Sequence, residues 1–178
     1  MIKPAQLYRQ ELNSEYCKVF YDFKYMYYTG YPGAGEITIP DNTYDSHHFA
    51  ILNSKNEIVG YIAYSINFAS KVVDKFGIIS FKQSACFGRD LLKIIDDIFV
   101  EYNMNKIEFI AFEDNPIIKH YYKFINEYGG NIVGILHDSG MLQDGKLHNA
   151  VIFELFRENY IKNRPTRLHG LYSKKTKE

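Results

Sequence analysis

The sequence predicts a single domain built on a mixed α/β sheet with helices packed against it. Short apolar runs typical of strands alternate with two helical patterns through the middle of the chain, and a final pair of apolar runs closes it. The chain has 178 residues, of which 46% are hydrophobic, so it can bury a substantial core. We expect the domain to span residues 1–160 and to be followed by a basic tail over 161–178.

The first half of the predicted domain holds a hairpin and a third strand. Apolar runs over 47–52 and 58–66 flank the turn sequence Ser54-Lys-Asn-Glu57, which is typical of a tight β-hairpin. A third strand is predicted over 72–81. The preceding region is less regular, since residues 16–28 fit a helix, a strand or both. Residues 31–35, Tyr-Pro-Gly-Ala-Gly, predict a loop.

The second half contains two helices that alternate with strands. Apolar residues recur at spacings of three and four from Leu91 to Tyr102, with charged residues on the other face, so an amphipathic helix is predicted to begin near Arg89. A strand over 106–112 follows. A second helix is predicted to start with Asn115 as N-cap and Pro116 at the first helical position. Gly129-Gly130 ends it, and strands over 131–137 and 148–156 complete the sheet.

The loop between the third strand and the first helix is the most informative segment. It reads Gln83-Ser-Ala-Cys-Phe-Gly88 and joins an apolar strand directly to a helix start. The first turn of a helix leaves backbone N–H groups without intrahelical partners, and the helix dipole adds partial positive charge there. This segment therefore predicts an anion site suited to a pyrophosphate.

Three segments in the right order resemble the GNAT-type N-acetyltransferases. The spacing Gln-x-x-Cys-x-Gly, followed by Arg-x-Leu-Leu, resembles the family's acyl-CoA loop, with Cys86 where the family has glycine. The segment from Asn115 to Tyr122 resembles the family's Asn-x-x-Ala-x-x-x-Tyr helix start, with Ile118 in place of the small residue. Residues 144–156 resemble the closing hairpin.

The resemblance implies a twisted, mostly antiparallel sheet of about seven strands that is splayed at the cofactor strand. It also implies transfer of an acetyl group from acetyl-CoA to a primary amine by direct attack in a ternary complex, without a metal. In this family pattern Tyr122 is the catalytic residue, which protonates the leaving thiolate. The implied contacts of acetyl-CoA are Ile79, Ser80, Phe81, Gln83, Ser84, Ala85, Cys86, Phe87, Gly88, Arg89, Asp90 and Asn115.

The acceptor amine and the base that deprotonates it stay open at the level of sequence. Glu108, Glu113, Asp74 or a chain of waters can serve as the base. The regions that hold the acceptor in the family correspond here to residues 25–28, Tyr31, Glu36 and the loop over 141–148, and their aromatic residues either line an acceptor pocket or pack the core. Two other classes compete with the enzyme: a catalytically silent module that binds acyl-CoA or a protein, and an RNA-directed protein that uses the basic tail.

Charge and cysteine usage limit the partners. The formal net charge is zero, although residues 162–178 carry six basic residues against one acidic residue, a net charge of +5. We expect no nucleic-acid partner except through that tail. Cys17 and Cys86 form no metal-binding motif, and no stretch approaches the roughly 20 apolar residues that span a bilayer. The sequence thus favours a reduced cytoplasmic protein, either a monomer or a homodimer, with no membrane partner.

Overall fold

The computed structural model describes residues 1–29 and 37–164. The predicted loop over 31–35 and residues 165–178 of the predicted tail lie outside them. The last described helix continues through Asn163, three residues beyond the predicted end of the domain. The division into domain and tail therefore stays a prediction.

Within the described residues, seven strands form one mixed sheet, which confirms the predicted fold class. The strand order is β1-β2-β3-β4-β5-β7-β6, and all neighbours are antiparallel except the parallel pair β4–β5. The strands are β1 (Ile2–Pro4), β2 (Ser46–Leu52), β3 (Ile58–Asn67), β4 (Val72–Ser80), β5 (Lys106–Phe112), β6 (Asn131–Met141) and β7 (Leu147–Phe156).

Helices cover both faces of the sheet. They are α1 (Arg9–Phe20), α2 (Met26–Thr29), α3 (Ala85–Val100), α4 (Ile118–Tyr128) and α5 (Arg157–Asn163), with short 3-10 turns before α1 and α2. Residues 16–28 are thus helical or turn in the structure. The first strand of the sheet instead comes from Ile2–Pro4, which is too short to show a hydrophobic period.

The sheet separates two hydrophobic cores, because successive strand residues point to opposite faces. Ala50 packs with Leu12 of α1 on one face. Its neighbour Ile51 packs with Ile98 and Phe99 of α3 on the other face. All five residues are fully buried.

Strands β4 and β5 diverge, as the resemblance implies. They pair only at Val72 with Lys106 and at Val73 with Ile107, although each strand continues for several residues beyond those pairs. The divergence opens a wedge between the later residues of the two strands. Such a gap in the middle of a sheet exposes backbone groups that an extended ligand can pair with.

Two helix starts differ from the sequence prediction. Helix α3 begins at Ala85 rather than near Arg89, so its first turn contains most of the predicted anion loop. Helix α4 begins at Ile118, three residues after the predicted N-cap. Asn115 instead closes the preceding turn, where its Oδ1 accepts a 3.1 Å hydrogen bond from the Ile117 N–H. The predicted end of α4 is confirmed, since Gly129 adopts a left-handed φ of 72°.

Candidate functional site

The wedge between β4 and β5 holds a cavity of about 240 Å³. Aromatic side chains dominate its lining, and they come from α2, from three neighbouring strands and from α4. The lining residues are Tyr27, Tyr28, Tyr61, Phe76, Gly77, Ile78, Ile79, Phe109, Ile110, Ala111, Phe112, Asn115 and Tyr121. The cavity is therefore an apolar cleft with a few phenol groups and one amide.

Phe87 fixes the start of α3 beside this cleft. Its ring is buried and lies against Gly60 of β3, where a Cβ atom would overlap it. A glycine is therefore required at position 60 for the first turn of α3 to approach the sheet this closely. The Phe87 N–H donates a 3.1 Å hydrogen bond to the Ser84 carbonyl, which closes that turn.

The outer side of the same turn is open. Gln83, Ala85, Gly88 and Arg89 are exposed, and a Cβ atom on Gly88 would meet nothing within 4 Å. The Phe87 N–H is engaged with Ser84, whereas the N–H groups that precede it at the start of α3 have no intrahelical acceptor. An exposed first turn next to a cleft can hold a pyrophosphate.

Cys86 does not obstruct this surface. Its Sγ atom points inward, 3.0 Å from the Ser84 Oγ and 3.8 Å from the Leu52 carbonyl oxygen. Among the described residues, those with positive φ lie outside the 83–89 segment. The segment therefore does not need the conformational freedom of a glycine at position 86.

At two predicted acetyl-CoA contacts, Asp90 and Phe81, a polar group already has a partner within the protein. The Asp90 carboxylate is buried, and it contacts the Met1 amine at 2.7 Å and the Arg89 guanidinium at 3.1 Å. Asp90 is also the sixth residue of α3, beyond the first turn whose N–H groups lack intrahelical acceptors. The Phe81 N–H donates to the Val59 carbonyl at 3.0 Å, so it is not available to a pantetheine arm. Ile79 pairs with Tyr61 and Ser80 pairs with Gly60 in the β3–β4 ladder, and Ile79 lines the cleft.

Asn115 and two tyrosines lie at the start of α4. Asn115 is buried and lines the cleft. Tyr121 also lines it, and burial raises the pKa of its phenol. Tyr122 is not among the described residues that line the cleft. Its half-buried ring contacts Phe153 edge-to-face at 5.5 Å.

Two histidines lie beside the cleft. The Nδ1 of His48 is 2.6 Å from the hydroxyl of Tyr61, which lines the cleft. His148 is buried against Tyr27, with ring centroids 6.2 Å apart in an edge-on contact. Its two ring nitrogens lie 2.6 Å from Asp114 and 3.0 Å from Asp144.

No group of three His, Cys, Asp or Glu side chains suited to a metal ion occurs within residues 1–29 and 37–164. No helix in the same part of the chain is long and apolar enough to cross a bilayer.

No protein-family model and no curated protein sequence matches this chain. Solved structures do match it. The spermidine/spermine N-acetyltransferase SpeG from Vibrio cholerae, in complex with manganese ions, is 16% identical, with a TM-score of 0.59 over 70% of this chain and 72% of that one. A chimera of Vibrio cholerae SpeG and hSSAT is 21% identical, with a TM-score of 0.56 over 66% of this chain and 71% of that one. The chain has the GNAT fold.

Within this GNAT fold, the structure brings the predicted motif segments to one place. The diverging end of β4 and Asn115 line the cleft, and the α3 start lies next to it through the packing of Phe87 against Gly60, close to Ile79. The sequence missed Tyr61 and His148, because the partner of Tyr61 lies on another strand, the partners of His148 lie in two turns, and no local motif marks these contacts. Tyr31 and Glu36, which were considered for an acceptor pocket, lie outside the described residues.

Proposed function

We propose that this protein is an N-acetyltransferase that moves an acetyl group from acetyl-CoA to a primary amine by direct attack in a ternary complex. The observation that carries the proposal is the position of the open first turn of α3 beside the β4–β5 wedge. The first turn of α3 suits the pyrophosphate of a CoA ester, and the wedge suits its extended pantetheine arm. The N-acetyltransferase activity of structures with the same fold agrees with it.

The backbone of the 83–89 segment is proposed to hold the pyrophosphate, with Gly88 leaving room for the close approach. Ile79 and Ser80 are proposed to pair with the pantetheine arm as an added strand would. Bound acetyl-CoA supplies an activated acetyl group at the wedge. A backbone N–H of β4 is also suited to stabilise negative charge on the carbonyl oxygen as it develops.

A tyrosine of α4 is the proposed proton donor to the leaving thiolate. The family spacing from Asn115 assigns this role to Tyr122. Its neighbour Tyr121 competes for the role, because it lines the cleft and because its raised pKa keeps the phenol protonated. We keep Tyr122 as the proposed catalytic residue, and a comparison of the two variants decides between them.

The end of the cleft that Tyr27 lines favours a cationic amine as the acceptor. The Tyr27 ring lines the cleft, and burial together with the charges of Asp114 and Asp144 raises the pKa of its phenol. Two carboxylates and aromatic faces attract ammonium groups. Because the enzymes with similar structures act on spermidine and spermine, polyamines come first among the acceptors to be tested.

The test is an acetyl-transfer assay with mass-spectrometric detection of the product. The panel contains spermidine, spermine, shorter diamines, amino acids and a lysine-containing peptide, each with and without acetyl-CoA. We expect one amine class to be acetylated by the wild type. Binding of acetyl-CoA without transfer to any amine in the panel would contradict the proposal and favour a silent acyl-CoA-binding module.

A further inference from the structure

One hydroxyl group in the cleft is connected to a histidine outside it. Tyr61 of β3 is 9% exposed and lines the cleft, and its hydroxyl lies 2.6 Å from the Nδ1 of His48 on β2. The Nε2 of His48 lies 2.9 Å from the Ser46 hydroxyl on the same strand. Three polar groups therefore form a continuous hydrogen-bonded chain that leads away from the cleft.

The strand register explains why these groups meet. Tyr61 pairs with Ala50, and His48 pairs with Ala63, so His48 and Tyr61 are diagonal neighbours on one face of the β2–β3 ladder. Long side chains reach each other across such a diagonal. The His48 backbone is also fixed, since its N–H donates a 2.8 Å hydrogen bond to the Asn42 Oδ1.

Both groups are uncharged at neutral pH. Burial lowers the pKa of His48, and its neighbour His47 lowers it further, so the imidazole keeps a free lone pair. Burial raises the pKa of Tyr61 to about 12, so the phenol keeps its proton. The titratable groups that act on His48 are His47 on its own strand and Tyr61 on the next strand. A neutral phenol beside a neutral imidazole is the arrangement that a proton relay needs.

We propose that Tyr61 and His48 remove the proton that the acceptor amine must lose before it attacks, a role that rests on the proposed acetyl transfer. An alkylammonium has no lone pair, so its N–H bond must break first. The ammonium proton moves to the Tyr61 oxygen, and the Tyr61 hydroxyl proton moves to the Nδ1 of His48. The electron pair stays on the amine nitrogen and forms the new C–N bond. His48 becomes an imidazolium, whose Nε2–H faces Ser46, and it returns a proton to solvent before the next turnover.

This relay assigns a base where the sequence left the choice open. Glu108, Glu113 and Asp74 are not among the described residues that line the cleft. The Glu113 carboxylate accepts a hydrogen bond from the Asn149 amide, and Lys106 forms an ion pair with Glu108. Tyr61 is the group that touches the amine, and His48 acts through it.

The kinetic test compares Tyr61→Phe and His48→Gln with Tyr16→Phe, which removes a hydroxyl from the same core on α1. We expect Tyr61→Phe to lower kcat/KM at least about tenfold, within the range for loss of acid–base catalysis, with the Kd for acetyl-CoA unchanged. Wild-type kcat/KM should fall as the pH drops and His48 becomes protonated, and His48→Gln should lose this acid limb. Tyr16→Phe should keep both the rate and the limb.

Transfer by the wild type with an unchanged rate and pH profile in both variants would overturn the relay and leave the acetyltransferase proposal standing. Absence of transfer by the acetyl-CoA-bound wild type would overturn both. A second measurement does not depend on turnover. In ¹⁵N NMR spectra at neutral pH, assigned with His48→Gln, we expect His48 to carry its proton on Nε2 and none on Nδ1. A protonated Nδ1 would overturn the relay, because that nitrogen could not accept the Tyr61 proton.

Discussion

The Nδ1 atom of His148 lies 2.6 Å from the Asp114 carboxylate, and this contact ties the closing hairpin of the sheet to the turn before α4. The Nε2 atom lies 3.0 Å from Asp144. The hydrogen bond to Asp144 and the charge of Asp114 raise the pKa of His148, although burial opposes them. The folded protein therefore holds the His148 proton more strongly than the unfolded chain does.

This pKa shift predicts a pH-dependent stability. A group whose pKa is raised on folding stabilises the fold below its unfolded pKa of about 6.5, and that contribution is lost as the pH rises through the folded value. We expect the Tm of the wild type to fall over this interval and that of His148→Gln to fall less. The exposed His137 supplies the control, His137→Gln. Parallel Tm curves for the wild type and His148→Gln would contradict the expectation.

Tyr122→Phe should lower kcat by about tenfold or more with little change in acetyl-CoA affinity, because a general acid acts only on the reaction step. Tyr121→Phe is measured beside it, and the larger fall identifies the donor. Tyr128→Phe is the control, since Tyr128 lies at the far end of α4 and stacks on Tyr160 at 5.4 Å. Equal rates for the wild type and Tyr122→Phe would reduce Tyr122 to a packing role against Phe153.

Gly60→Ala should destabilise the protein and weaken acetyl-CoA binding together. The added Cβ would overlap the Phe87 ring and lie 2.6 Å from the Ile79 carbonyl oxygen, so the first turn of α3 must move. Overpacking of this kind costs about 1–3 kcal/mol. Thermal unfolding and ligand titration measure the two effects. Gly134→Ala is the matched control, because a Cβ there meets nothing within 4 Å. Unchanged stability in Gly60→Ala would show that Phe87 can be displaced at no cost.

Arg164→Met should lower the free energy of unfolding by about 3–5 kcal/mol, the range for a buried charge that loses its partner. The Asp96 side chain is fully buried, and its Oδ1 lies 2.6 Å from the Arg164 guanidinium. Urea denaturation gives the difference directly. Lys162→Met removes an exposed charge from α5 and should change the stability little. Similar effects of the two substitutions would mean that the Asp96 carboxylate finds another partner.

The sequence was informative wherever local chemistry determines structure. The β2–β3 hairpin, the amphipathic part of α3 and the glycine end of α4 each follow from a short pattern, and all three occur in the structure. Helix α3 begins at Ala85, earlier than its charged face predicts. Phe87 in its first turn packs against β3 at Gly60, and no hydrophobic period in the sequence indicates that contact.

The polar connections of the site could not be predicted in the same way. The His48–Tyr61 contact depends on the diagonal register of two strands, and His148 meets carboxylates from two separate turns. Neither histidine belongs to a local motif that indicates its partner. Pairings of this kind are set by strand register and turn geometry, which a single sequence specifies only weakly.

The most direct test of the central proposal is calorimetric titration of the wild type and Gly88→Glu with acetyl-CoA, with CoA and ATP as further ligands. We predict micromolar binding of acetyl-CoA and CoA by the wild type. A glutamate at position 88 would fill the open space above α3 and repel the pyrophosphate, so the variant should lose that binding while it stays folded. Absence of binding by the wild type, or equal binding by folded Gly88→Glu, would contradict the assignment of this turn as the cofactor site.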